Sequence, residues 1–317
     1  MNEAPHPPRR LLVRGVNWLG DAVMSLAALQ RLREALPGTH IGLLTPSKLT
    51  GLWQHQPDVD VVVAIESGEG LFSVARRVRQ GHYDAALILP NSARSALEMW
   101  LARVPMRVGC ARGGRGILLT QVVPPRPLEV KMRKKRVAEI RRLVALAAVR
   151  PPAFPLGAHH LHHYLHLTAA LGANPEPVLP RIVVKDEEVE AMRERFGARS
   201  AQGRPLFGLN PGAEYGPAKR WPRARFVAAA VELHRQTGCL WWVFGGPADQ
   251  PLAESIATDL ARAGTAVCSL AGKTTLRELC AALKACQVLL TNDPAPCISP
   301  PLWACRWWFP SAAPRRN

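Results

Sequence analysis

The sequence predicts an α/β protein of two domains, each carrying a mostly parallel sheet. Three observations lead there. Short apolar strands alternate with amphipathic helices along most of the 317 residues, as βαβ units do. The length suits about two domains. The run Asn174-Pro175-Glu176-Pro177 reads as a linker between two such series.

Element by element, residues 10–15 (RLLVRG) form a short buried strand, and Asn17-Trp18-Leu19-Gly20 a turn. Val23, Leu26, Leu29, Leu32 and Leu36 then recur at helical spacing until Pro37-Gly38 stops the helix. Residues 41–45 (IGLLT) are a strand, 47–54 a helix, 59–65 a strand, and 85–89 a strand ending in Pro90-Asn91. Pro124, Pro125 and Pro127 precede a basic helix over 131–148, which Pro151, Pro152 and Pro155 break. A further helix covers 159–171. The second series opens with a strand over 206–210 (LFGLN), a Gly/Pro loop over 211–222 and a helix over 224–237. It continues with a strand ending in Gly245-Gly246, a helix over 248–263, the strand AVCSLAG, a helix over 275–285 and the strand VLLTND. The first domain spans 1–173 and the second 174–293, followed by a Pro/Trp-rich tail over 294–317.

A chain that is 48% hydrophobic and 21% charged is not globally disordered. No apolar run approaches the ~18 residues of a membrane-spanning helix, and the N-terminal MNEAPHPPRRLLVRG lacks the apolar core of a secretory signal. Seven cysteines without a C-x-x-C pair argue against a disulfide framework or zinc knuckle and fit a reducing cytosol. The net charge of +17 is uneven: residues 71–150 hold 17 Lys/Arg against four acids. Such a field attracts nucleic acid, an anionic membrane face, or a phosphorylated or carboxylated substrate. A solvated basic face explains the charge equally well. No helix-turn-helix, zinc or aromatic ribonucleoprotein pattern supports a nucleic-acid partner.

Five segments are candidates for chemistry. Asp21 lies where a strand passes into a helix, the place where open α/β sheets bind ligands, and a carboxylate there suits a general base. A first-turn acid that merely satisfies free helix N–H groups is the commoner case on position alone. The loop Asn210-Pro-Gly-Ala-Glu-Tyr-Gly-Pro-Ala-Lys219-Arg220-Trp221-Pro222 offers backbone amides around Gly212 and Ala213 together with the cation of Lys219, a set that suits a diphosphate. Gly272-Lys273-Thr274 imitates a Walker A end, but Val267 stands where that motif needs glycine. It reads as a strand-to-helix turn edging a nucleotide. Asp58-Val59-Asp60 matches a three-residue metal motif, yet it leads straight into VVVAI and reads better as a polar strand start. His159, His160, His162, His163 and His166 have zinc-like spacing with no acid or cysteine nearby. A surface helix is expected there.

The stretches VRGVNWLGDAVMSLAAL, NPGAEYGPAKRWP, VFGGPAD, LAGKTTLREL and VLLTND occur in this order. Together they resemble the ADP-heptose:lipopolysaccharide heptosyltransferases of glycosyltransferase family 9, from about residue 10 to Asp293. NWLGD and PGAEYGPAKRWP are most similar to the heptosyltransferase II type. The resemblance implies a GT-B fold, with an N-terminal acceptor domain and a C-terminal nucleotide-sugar domain facing a cleft. It implies inverting, metal-independent transfer of a heptose from ADP-L-glycero-D-manno-heptose to the heptose/Kdo inner core of lipopolysaccharide. No cofactor beyond that donor is implied.

By the same resemblance Asp21 takes the acceptor hydroxyl's proton, with Asn17 and Gly20 in the acceptor-side loop. Lys219 neutralises the leaving diphosphate. Gly212, Ala213, Gly272 and Thr274 line the donor side, and Asp293 opens a D-[ST]-G-x-x-H donor segment. The implied setting is cytoplasmic, with peripheral contact at the anionic inner leaflet of a Gram-negative envelope. Two alternatives stay open: a related transferase such as heptosyltransferase I, and a non-catalytic remnant.

The remnant reading comes from the tail. After Asp293 the family continues Ser-Gly-x-Met-His-Leu-Ala-Ala-Ala, whereas this chain reads PAPCISPPLWACRWWFPSAAPRRN, with six prolines and three tryptophans. One base inserted after the Asp293 codon permits Ser-Gly-Pro-Met-His-Leu-Ala-Ala-Ala-Leu-Gly-Val-Pro-Val-Val-Val. A single-base deletion at codon 294 is therefore expected. If the tail is genuine, the donor loop and the next βα unit are lost, the second domain is incomplete, and a bare sheet edge and weak transfer are expected.

Overall fold

The computed structural model describes residues 7–126, 136–145, 159–198, 203–213, 220–292 and the strand Arg306–Trp308. Among these are two sheets. The first is formed by β1 (Arg10–Arg14), β2 (His40–Pro46), β3 (Val61–Ile65), β4 (Ala85–Ile88), β5 (Met106–Cys110) and β6 (Gln121–Val123), in the order β3-β2-β1-β4-β5-β6. The second contains β7 (Leu206–Asn210), β8 (Leu240–Val243), β9 (Val267–Ser269), β10 (Val288–Thr291) and β11 (Arg306–Trp308), in the order β11-β10-β7-β8-β9. Within each sheet the first strand lies at the point where strand order reverses, as in doubly wound α/β folds. The registers are parallel: Leu11 lies opposite Ala85 across β1 and β4, and Val288 opposite Phe207 across β10 and β7.

The helices are α1 (Leu19–Ala35), α2 (Thr50–Trp53), α3 (Leu71–Gln80), α4 (Ala93–Leu101), α5 (Val137–Ala145), α6 (Leu161–Ala169), α7 (Asp186–Arg195), α8 (Arg223–Thr237), α9 (Gln250–Arg262) and α10 (Leu276–Ala285). The alternating series is thus present, with bounds shifted by a few residues. The strand expected over 59–65 starts at Val61; Asp60, just before it, is exposed and accepts from the Ile41 N–H at 2.7 Å. The described part of the basic helix is α5; residues 127–135 and 146–158 lie outside the described set. The surface helix expected at the histidines is corrected: α6 buries His163, Tyr164, Leu165, Leu167 and Thr168. The apolar side chains between the histidines carry that face inward.

The bare sheet edge expected after β10 is also corrected. Arg306–Trp308 pairs parallel with Val288–Leu290 and forms a fifth strand. Three residues rich in tryptophan suit a strand, and a short strand needs no support from the prolines that exclude a helix.

Two compact units emerge, each made of separated segments. One holds Met1–Arg14, Ala27–His40 and Gly70–Pro177; the other holds Gly15–Leu26, Ile41–Glu69 and Val178–Asn317. Each is described by itself. In the first, the aliphatic strands β1 and β4 are fully buried, and so is an ion pair. Glu98 of α4, with no exposed surface, receives Arg14 Nε at 2.8 Å and Arg94 Nε at 3.1 Å. In the second, rings fill the core: Trp241 stands edge-on to Phe207 at 5.5 Å, and Trp221 edge-on to Phe226 at 5.1 Å. Within this unit α2 touches the start of α10 so closely that a Cβ on Gly51 would sit 2.9 Å from the Arg277 N. Arg277 there pairs with Glu188 at 2.5 Å and donates to the Gln54 carbonyl at 3.2 Å.

Candidate functional site

Asp21 stands where the sequence places it, in the first turn of α1. The chain leaves β1 at Gly15, whose N–H bonds to the Leu44 carbonyl at 2.9 Å. A Cβ at Gly15 would come within 3.1 Å of Leu43 and 3.3 Å of the Leu44 oxygen, so the strand-to-helix passage runs tight against β2. Asn17 is exposed; Gly20 and Asp21 are half-buried. The first helical bond runs from the Ala22 N–H to the Trp18 carbonyl at 2.9 Å. Among the described residues Asp21 has no ion-pair or hydrogen-bond partner, so its carboxylate is available to a ligand.

The second group of residues gathers at the C-terminal ends of β7, β8, β9 and β10. Pro211, Gly212 and Ala213 follow β7 and are buried. They are held by Asn292, just past β10, whose Nδ2 donates to the Pro211 carbonyl at 2.7 Å and the Gly212 carbonyl at 3.2 Å. Its Oδ1 accepts from the Trp221 N–H at 2.8 Å, tying the far end of the same loop. Asp249, at the start of α9, packs from the other side. A Cβ on Gly245 would lie 2.9 Å from the Asp249 Cβ, so that position requires glycine, and one on Gly212 would lie 2.7 Å from the Asp249 carboxylate and displace it. Asp249 accepts from the Gly246 N–H at 3.3 Å and lies 3.9 Å from Arg220, which itself donates to the Ala213 carbonyl at 3.2 Å. Gly272 adopts φ +70° and donates to the Gly245 carbonyl at 3.0 Å, joining the loops after β8 and β9.

The imitation of a Walker loop dissolves here. Lys273 Nζ turns back to the Ser269 carbonyl at 3.0 Å, and Thr275 caps α10 in a reciprocal pair with Glu278. Thr274 lies half-buried between them. Gly212, Ala213, Gly272 and Thr274 therefore share one end of the second sheet. Lys219 and Asp293 lie outside the described residues, as do Glu214–Ala218. Asn292 and Asp249 escaped the sequence reading. A polar residue ending the apolar strand VLLT, and an acid opening a helix after Gly-Gly, were the available signals.

The other candidates find local roles. Asp58 and Asp60 precede β3, and Asp60 accepts from the Ile41 N–H. Among the described residues no cluster of three or more His, Cys, Asp or Glu side chains forms a metal site. His163 is 7% exposed, stacks on His160 at 5.2 Å and leaves its Nε2 without a hydrogen bond. Burial, then the neighbouring His160 and Arg112, push its pKa down to about 4. It lines a small pocket with Cys110, Arg112, Val122 and Arg126. Not all of the basic stretch faces water. Arg115 is 1% exposed and donates to the Cys110 carbonyl at 2.8 Å and to the Pro90 carbonyl; burial lowers its pKa. No helix among the described residues is long and apolar enough to cross a membrane.

Comparison with known proteins agrees with this architecture. The profile of glycosyltransferase family 9 (heptosyltransferase) matches residues 71–297. Lipopolysaccharide heptosyltransferase 2 of Salmonella typhimurium is 31% identical over 292 residues, covering 90% of this chain and 77% of that protein. Lipooligosaccharide heptosyltransferase 2 of Haemophilus influenzae is 31% identical over 293 residues, covering 89% and 77%. The solved structure of Escherichia coli ADP-heptose lipopolysaccharide heptosyltransferase II matches with a TM-score of 0.72 at 26% identity, covering 95% of this chain and 83% of that one. A glycosyltransferase family 9 structure from Veillonella parvula shares the fold, with a TM-score of 0.76 at 23% identity over 95% and 80%. With most of its length matched by the family profile, and with paired doubly wound sheets of the GT-B type, the chain belongs to glycosyltransferase family 9, the heptosyltransferases, and is a glycosyltransferase.

Proposed function

We propose that the protein transfers heptose from ADP-L-glycero-D-manno-heptose to the heptose/Kdo inner core of lipopolysaccharide, with inversion, as a heptosyltransferase of type II. The observation that carries the reading is the carboxylate of Asp21 at the start of α1, unpaired among the described residues. In the step, the acceptor hydroxyl gives its proton to Asp21 while its oxygen bonds to the anomeric carbon. The bond from that carbon to the diphosphate oxygen breaks on the opposite face, and ADP leaves. Lys219 and the amides of the 211–213 loop stabilise the charge that develops on the diphosphate. The names of the type II relatives support the donor and acceptor.

The reaction needs no resident metal in this reading, since Asp60 is committed to the Ile41 amide. Transfer that survives dialysis against a chelator supports this, and loss restored by a divalent ion overturns it. The exposed arginines Arg76, Arg79, Arg141 and Arg142 are proposed to meet the anionic leaflet, which salt-sensitive flotation with anionic vesicles tests.

The deciding experiment offers ADP-heptose with saccharide acceptors that carry or lack the first heptose. Transfer only to the heptosylated acceptor is expected. Transfer to the bare Kdo acceptor favours type I, and no transfer to either overturns the reading for this chain. The tail belongs to the proposal: DNA sequencing across codons 290–297 is expected to reveal the missing base. With that base restored, transfer rises if the Ser-Gly-x-x-His segment serves the donor.

A further inference from the structure

Trp18 stands immediately before α1 and is 53% exposed. Lys48, in the short 3-10 turn after β2, places its ammonium 5.3 Å from the centre of the indole ring. Lys48 is exposed and has no carboxylate partner among the described residues. Both residues lie just past the C-terminal ends of neighbouring strands, β1 and β2, the edge where α/β sheets hold ligands. Both belong to the same compact unit as Asp21.

The position of Trp18 is costly for the helix. The residue before the first helical position is best filled by Ser, Thr, Asp or Asn, whose oxygen satisfies a free N–H. Tryptophan cannot do this, and most of its apolar surface gains nothing from the core. A local rule broken without a folding benefit points to a ligand. That ligand is also set by geometry. Asp21 follows Trp18 by three residues, in the first turn of the same helix. Indole and carboxylate therefore serve one molecule.

We infer that Trp18 and Lys48 form an acceptor platform: the indole face stacks on a pyranose ring of the acceptor saccharide, and the Lys48 ammonium pairs with an anionic substituent of it. The electron-rich ring face attracts polarised C–H groups as it attracts cations. The anion is a sugar carboxylate or a phosphate ester. This rests on the reading of Asp21 as the base that meets the acceptor.

The test is equilibrium binding by calorimetry on the full chain, with ADP and a heptosyl-Kdo oligosaccharide titrated separately, so that it does not depend on turnover. Trp18→Ser is the decisive variant, because serine is a good helix cap. It is expected to raise the melting temperature while weakening saccharide binding roughly ten-fold and leaving ADP binding within about two-fold. Trp18→Phe retains most of the affinity. Lys48→Ala costs roughly three-fold or more, and that loss disappears on whichever acceptor, dephosphorylated or carboxyl-reduced, lacks the paired anion.

Trp18→Ser binding the saccharide as tightly as wild type overturns the inference. So does an equal loss of ADP affinity, or a wild-type chain that binds ADP but no saccharide. A wild type that binds both and transfers nothing sinks the proposed activity instead, leaving the platform standing.

Discussion

The two sheets share one strand order and solve opposite problems with it. The first unit carries charge inside: Glu98 between Arg14 and Arg94, and Arg115 among carbonyls. The second fills its interior with Trp241, Trp242, Phe207 and Phe226. At the ligand edges the contrast is of another kind. After β1 the chain enters a helix almost at once and offers side chains, Asn17 and Asp21, to solvent. After β7 it runs through a buried Pro-Gly-Ala segment braced by Asn292 and Asp249. On the proposed function, one edge presents the reactive group and the other fixed backbone. Proton transfer needs a positioned carboxylate open to the substrate hydroxyl, whereas a diphosphate needs amides that do not reorganise.

The sharpest way to break this comparison is to remove the reactive group alone. Asp21→Asn keeps shape and loses the base, so transfer should fall by roughly 10²–10⁴ with ADP affinity unchanged. Steady-state rates with both substrates varied would check it. A loss confined to the donor KM would mean that Asp21 belongs to the other edge.

Next in size is the buried charge of the first unit. Glu98→Ala removes the buried carboxylate that pairs with Arg14 and Arg94 and should cost about 3–5 kcal/mol, read by chemical unfolding. Replacing Glu98 and Arg14 together by leucine should recover much of that, because a well-packed apolar pair avoids the desolvation penalty. If the double replacement is as damaging as the single one, the pair positions α4 against β1 in a way that apolar packing cannot.

The sequence made the alternation of strands and helices legible because β1, β2, β4, β7, β8 and β10 each hold a short apolar run, most with Gly or Pro near one end. It hid β5 and β6, which are short and carry Arg107 and Gln121, and α7, whose DEEVEAMRER buries only Val189 and Met192. The candidate site divides in the same way. Asp21 and the Pro-Gly-Ala loop are local features, visible as a first-turn acid and a Gly-rich turn. Asn292 and Asp249 act through tertiary contact, 80 residues away in sequence for the Asn292–Gly212 bond, and no spacing rule announces them. Likewise the charge of residues 71–150 overstated the basic surface, because Arg107 is half-buried and Arg115 buried, both donating to backbone carbonyls.

Acid should separate the units. His163 is held near pKa 4 in the first unit, below the ordinary 6.5, mainly by burial. The unfolded chain therefore binds a proton that the folded one refuses between those values, so stability is intact above about pH 6.5 and falls as pH drops toward 4. The loss reaches up to about 3 kcal/mol. Hydrogen exchange followed over that window should show β5 and α6 opening before β7 and β8. His163→Leu should flatten the dependence; an unchanged slope would assign it to other groups.

The smallest expected effect tests the second edge most directly. Asn292→Ala deletes the donors to the Pro211 and Gly212 carbonyls and the acceptor for the Trp221 N–H. Leaving buried backbone groups unpaired costs about 1–3 kcal/mol. If the loop is a preformed diphosphate cradle, that cost should appear mainly as weaker ADP binding, on the order of ten-fold, with acceptor affinity untouched. Asn292→Asp keeps the acceptor for Trp221 and loses the donor, and it adds negative charge beside the diphosphate site. It should therefore bind ADP less well than Asn292→Ala despite its closer shape. A better-binding Asn292→Asp would mean that the side chain only holds β10 to the loop, and that the amides of 211–213 do not face the donor.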